Sequence, residues 1–149
     1  DSDNEIRKMY LSDWGSPVSA ISAVSRAMVR QQQEMGNKKG IVMDGRDIGT
    51  VVFPNAEVKL FVTASIEERA KRRFLELQAK GLSVDMTTVK QNLLERDHID
   101  SNRADSPLKQ AEDAILIDNT NLTEAQQTKL VLDIIQKQLS KCNEMTNKD

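Results

Sequence analysis

The amino-acid sequence predicts an α/β fold, a parallel sheet with helices on both faces. Short apolar runs alternate with longer stretches of helical period, two of those runs stop at an aspartate, and turn residues separate each run from its neighbours. With 149 residues the chain falls in the single-domain range and is long enough for one core.

The elements follow in order. Residues 1–15, DSDNEIRKMYLSDWG, show no clear period and read as the tail of something longer. Ser16-Pro17 supplies an N-cap acceptor and a proline at the first helical position. Val18, Ile21, Met28 and Val29 give that helix an apolar stripe, and it ends near Gly36. Lys38-Lys39-Gly40 then turns into Ile41-Val42-Met43, a buried strand that stops at Asp44, and the glycines of DGRDIG (44–49) break any regular element. After Pro54-Asn55 comes a second strand over residues 58–62. Ser65 caps a helix whose Glu67 and Glu68 suit its positive end, and Lys80-Gly81 closes it. A polar helical segment runs from about Asp85 to Arg103 and is ended by Pro107. Residues 114–117 form a third strand, closed by Asp118. Thr123-Glu124-Ala125-Gln126 is a capping box that opens a last helix, with Leu130, Val131, Ile134, Ile135 and Leu139 toward the core.

Composition excludes several function classes. Aromatic residues make up only 3%, too few for a platform that stacks bases. The net charge of −2 leaves no general basic footprint for nucleic acid or an anionic membrane. The single cysteine, Cys142, cannot form an internal disulfide, and no Cys/His spacing suits zinc. No apolar run approaches the roughly 20 residues that span a bilayer, and no signal peptide is recognisable, so a cytoplasmic location is expected.

In parallel sheets ligands bind beyond the carboxyl ends of the strands. Asp44, Thr63-Ala64-Ser65 and Asp118-Asn119-Thr120 occupy those ends here. An aspartate delivered by a buried strand is the arrangement that holds Mg²⁺, often through water. Gly45 lets backbone approach a ligand. Arg46 beside Asp47 offers a fork donor for phosphate and an acceptor for a base amino group. The same residues equally suit an ordinary strand-to-loop turn with a local Arg–Asp pair.

Five of the nine arginines lie between positions 69 and 103. Arg69, Arg72 and Arg73 share one helix face, as do Arg96, Asp100 and Arg103 if the helix persists that far. Phosphoryl transfer needs such positive charge around spreading negative charge. The plainer reading is a solvated face pairing with Glu67, Glu68, Glu76 and Glu95. It serves better for any one arginine, but not for a cluster between two ligand-edge strands. His98 reads as a surface residue and Cys142 as an incidental tail thiol.

DGRDIGTVVFP (44–54) resembles the signature of bacterial cytidylate kinases, and EVKLFVTASIEERAKRR (57–73) continues the likeness. ERDHIDSNRADSPL (95–108) is similar to that family's later signature, AEDAILIDNTNLT (111–123) to its last core strand and loop, and NEIR (4–7) to the entry of an earlier helix. The resemblance covers nearly the whole chain, with several motifs in the right order.

It implies a P-loop nucleoside monophosphate kinase fold with a mobile lid. The implied activity is transfer of the ATP γ-phosphoryl group to CMP or dCMP with Mg²⁺. Ser16 and Asp47 would contact cytosine, Arg46 and Arg103 the acceptor phosphate, and Arg96 and Asp100 the pentose and the phosphate arginines. Arg46, Arg96 and Arg103 would be the catalytic cations, Asp44 the metal ligand, and Arg69 and Arg73 would face ATP. Residues 1–16 would end the CMP-binding region and 17–149 form a partial core, with a lid over about 66–106.

Two departures accompany the likeness. The family's base-contacting arginine on the first helix aligns with Ser25, while Arg26 follows one place later, about 100° around the helix. No G-x-x-x-x-G-K-S/T loop occurs, although that loop cradles the ATP phosphates. The first core strands and most of the CMP-binding region would be missing with it. The expectation is therefore a truncated or proteolysed kinase, inactive alone, whose open sheet invites self-association or strand exchange, the full-length protein being a monomer. The alternative is a non-catalytic nucleotide-binding or assembly module that has lost its P-loop.

Overall fold

The computed structural model describes residues 22–103 and 107–146. The predicted helix start at Ser16-Pro17 lies outside them, as does the 4–7 match.

Helix α1, Ser22–Gly36, ends where expected. A side chain at Gly36 would run into the ring of Phe53, so the close approach itself demands glycine. Lys39 and Gly40 then take left-handed backbone, φ 56° and 67°, and turn the chain away. Gln33 Nε2 donates to the Val52 carbonyl at 3.1 Å and ties the helix to the segment beyond that turn. Of the predicted stripe, Val18 and Ile21 lie outside the described residues, Met28 is 49% exposed and Val29 is half-buried.

Ile41-Val42-Met43 is not a strand, and Val42 is 97% exposed rather than buried. A strand exists only where a neighbour receives its N–H and C=O groups, and the two strands among the described residues pair with each other instead. The DGRDIG segment also departs from expectation. Residues Ile48–Val52 wind into a short π-helical turn. The Asp47 carbonyl accepts from the amides of Thr50, Val51 and Val52 at 3.3, 2.8 and 3.2 Å. Val52 drops into the core at 2% exposure.

Strand β1, Leu60–Thr63, runs parallel to β2, Ile115–Asp118, with Leu60 opposite Ile115 and Thr63 opposite Asp118. Two flanking bonds extend the ladder, Ile115 N to the Lys59 carbonyl and Asn119 N to the Thr63 carbonyl, both 2.9 Å. The first strand begins two residues later than its apolar run. Just before it, Lys59 buries its stem while its ammonium bonds Asp113 at 2.9 Å and the Pro54 carbonyl.

Between the strands lies a helical hairpin, α2 over Ile66–Ala79 and α3 over Met86–Asn102. Ser65 Oγ accepts from Glu68 N at 3.2 Å, the predicted cap. Asp85 opens α3 by accepting from Thr87 N and Thr88 Oγ1 at 3.1 and 2.9 Å. Gly81, at φ 76°, makes the reversal. Ala70, Leu77 and Val89 are each 1% exposed and form the seam of this hairpin. Helix α3 stops one residue short of Arg103.

The capping box is present as read: Thr123 N donates to Gln126 Oε1 at 2.9 Å and Gln126 N to Thr123 Oγ1 at 3.2 Å. Helix α4, Glu124–Thr146, nevertheless buries no residue, and Leu130 and Leu139 are 40% and 44% exposed. Val131, Ile134 and Ile135 are half-buried, so the expected core face is covered only in part, two strands being too narrow to lie under a helix of that length. No helix among the described residues is long and apolar enough to cross a membrane.

Candidate active site

The carboxyl ends of β1 and β2 are knit together by polar contacts. Ser65 N donates to Thr120 Oγ1 at 2.9 Å across 55 residues of sequence. Thr120 in turn donates through its amide and hydroxyl to Asp118 at 3.0 and 2.6 Å. Those two donors hold the Asp118 carboxyl below its ordinary range. Asn119 anchors the same loop to α4 through Gln127.

Arg72 locks this loop to α2. Its Nε bonds Glu68 at 3.0 Å, while Nη1 and Nη2 bond the Asn119 side chain and carbonyl at 2.8 and 2.9 Å. Arg73 bonds Glu76 at 2.9 Å, a pairing within one helix turn. Arg69 does something different. Its two terminal nitrogens grip both oxygens of Asp97, on α3, at 2.6 and 2.8 Å. That carboxylate raises the guanidinium above its ordinary range.

The second group of residues centres on Asp100, one turn after Asp97. Asp100 is 3% exposed, a position that carboxylates take only when paired. Arg46 Nε bonds its Oδ2 at 2.9 Å, reaching across 54 residues. Oδ1 is buried and has no hydrogen-bond partner among the described residues. The Asp100 carbonyl also receives Leu108 N at 2.7 Å, which draws the chain beyond Pro107 back toward the helix end.

Sequence reading left open whether Arg46 would pair locally with Asp47. Its bond to Asp100 is long-range, and the Asp47 side chain makes no capping bond to the π-turn it precedes. Arg96 and Arg103 are half-buried at the same end of α3. Gly45 has a local reason to be glycine, because a Cβ there would sit 3.0 Å from the Ile48 side chain. Ser16 lies outside the described residues.

Asp44 is exposed beside Arg46. No group of three or more metal-ligating side chains occurs among the described residues. A single exposed carboxylate such as Asp44 is the kind of ligand that Mg²⁺ takes beside waters and substrate phosphates.

Sequence reading missed Asp97 and Asn119 as partners. No local spacing marks a contact across 28 or 47 residues. The hairpin register was the available signal: folding α2 back on α3 about residues 80–85 brings 69 opposite 97.

Arg46, Arg69, Arg72 and Arg73 are thus each held by a named acceptor, Arg72 on the loop that follows the second strand of the parallel pair. The family model described as cytidylate kinase matches residues 1–137. Cytidylate kinase of Bacteroides fragilis is 56% identical over 135 residues, 91% of this chain and 59% of that protein. Cytidylate kinase of Parabacteroides distasonis is 56% identical over 131 residues, 88% of this chain and 57% of that protein. For that of Flavobacterium johnsoniae the figures are 54% over 133 residues, 89% and 58%. The chain therefore spans less than two thirds of the length of these relatives.

Proposed function

The chain belongs to the cytidylate kinase family, and from that premise we propose that the whole protein transfers the γ-phosphoryl group of ATP to CMP or dCMP. A phosphate oxygen of the acceptor bonds to Pγ, the bond from Pγ to the β-phosphate oxygen breaks, and ADP leaves. The observation that carries this reading is the Arg46–Asp100 pair. A buried carboxylate fixes a guanidinium that is still 44% exposed, so the cation is oriented and also within a ligand's reach.

In this reading Arg46 and Arg103 bind the acceptor phosphate, Arg96 and Asp100 the pentose side, and Asp47 the cytosine amino group, with Ser16 also on the base. Arg69 and Arg73 belong to the donor side. Asp44 would hold Mg²⁺ through water, and the ion would screen the donor phosphates. The parallel β1–β2 pair supports the wider proposal of a P-loop nucleoside monophosphate kinase fold with helices on both sheet faces. The hairpin belongs to a lid over about 66–106, and residues 1–16 end the CMP-binding region. The proposed setting is the cytoplasm and the proposed state of the whole protein is a monomer.

Cytosine and uracil differ where an amino donor replaces a carbonyl acceptor, so an acceptor at Asp47 discriminates between them. Asp47→Ala in the whole protein is expected to reduce the kcat/KM preference for CMP over UMP by roughly 10–100-fold. Steady-state assays with both nucleotides measure it. An unaltered preference removes Asp47 from the base site.

A further inference from the structure

We propose that Asp97 is the positioning residue for Arg69, fixing its guanidinium so that the remaining N–H groups meet the polyphosphate of a nucleoside triphosphate. This rests on the phosphotransferase reading above.

Three features single out this pair. Arg72–Glu68 and Arg73–Glu76 are one-turn pairs that any charged helix face forms, whereas Arg69–Asp97 joins two helices across 28 residues. It is also a two-pronged contact, 2.6 and 2.8 Å, which sets the plane of the guanidinium as well as its place. Two of the five N–H groups are used, and three remain for a ligand. Arg69 and Asp97 are 35% and 36% exposed, so the pair adds little to stability; what it supplies is orientation.

The third feature is its location. Arg69 lies in the second turn of α2, directly after the carboxyl end of β1, where ligands of parallel sheets sit. Asp97 and Asp100 are three residues apart on α3 and share one face. One carboxylate holds Arg69 and the other holds Arg46. A single helix turn thereby sets the positions of a donor-side and an acceptor-side cation relative to each other. In-line transfer requires that relation, since the two reacting groups must meet within about 3–3.5 Å.

The test uses the whole protein with Asp97→Asn, Asp97→Glu, Arg69→Ala and the double variant Asp97→Asn/Arg69→Ala. Asp97→Asn is expected to raise KM for ATP about ten-fold, with KM for CMP and Tm nearly unchanged. Asp97→Glu should recover most of the loss. In the Arg69→Ala background Asp97→Asn should add nothing, because its effect runs through Arg69. An unchanged or lowered KM for ATP overturns the proposal, the latter meaning that Asp97 merely competes with phosphate. So do additive effects, or a fall in Tm with KM unaltered, which would make the pair a structural staple. A wild-type protein without ATP-dependent CMP phosphorylation sinks the functional reading as well, whereas an active wild type with an indifferent Asp97→Asn sinks this inference alone.

Discussion

Arg46→Ala in the whole protein is expected to lower kcat/KM for CMP by roughly 10²–10³-fold. Two losses combine. The acceptor phosphate loses a fork donor, and Asp100 loses the 2.9 Å bond that Arg46 Nε donates to its Oδ2. Because Asp100 is 3% exposed, its Oδ2 would then sit desolvated beside an Oδ1 that already has no hydrogen-bond partner among the described residues. The stability cost is about 1–3 kcal/mol, held to the lower part of that range because Arg46 itself is 44% exposed. Arg46→Lys should rescue little. The bond is made by the guanidinium Nε, and an ammonium cannot bind that carboxylate while offering a flat fork outward. Kinetics with both variants, alongside thermal melts, decide it, and a loss smaller than ten-fold would remove Arg46 from the acceptor phosphate.

Leu77→Ala should have the largest effect on stability, about 2–5 kcal/mol. Leu77 and its isomer Ile117 are the largest fully buried side chains among the described residues. Ala70, Leu77 and Val89 are three of the five buried apolar residues among those described, and all three lie in the α2–α3 seam. A cavity there has few neighbours to collapse around it. In a thermal melt the substitution should lower Tm by about 5–15 °C. A shift within error would mean that the hairpin seam is not the core it is taken to be.

The sequence made the helix ends readable, because capping chemistry is local. Ser65, Asp85 and the Thr123–Gln126 pair each close a bond within three residues. Lys80-Gly81 likewise stops α2 where a left-handed residue is required. The third apolar run also became a strand close to its expected place. What failed has one cause. Ile41-Val42-Met43 and the apolar face of α4 carry the pattern of buried segments, yet Val42 is 97% exposed and no residue of α4 is fully buried. An apolar pattern reports what a segment would cover if its counterpart were beside it; it does not supply the counterpart. The site was legible to a similar degree. Arg46, Asp100 and Arg69 stand out by type and spacing, while Asp97 and Asn119 gain meaning only once distant helices and loops come together.

The parallel pairing of β1 with β2 also bears on how the chain folds. Every bond between these strands spans more than 50 residues, as the Ser65–Thr120 contact across 55 illustrates. Closing so long a loop is entropically slow unless something shortens it first. The hairpin lies inside that loop and makes contacts between near neighbours in sequence, so its collapse brings Thr63 and Asp118 within reach of one another. The expected order is hairpin before ribbon: in refolding experiments Leu77→Ala should give a high φ-value and Ile117→Ala a low one. The reverse ranking would mean that the strands nucleate folding and the helices condense upon them.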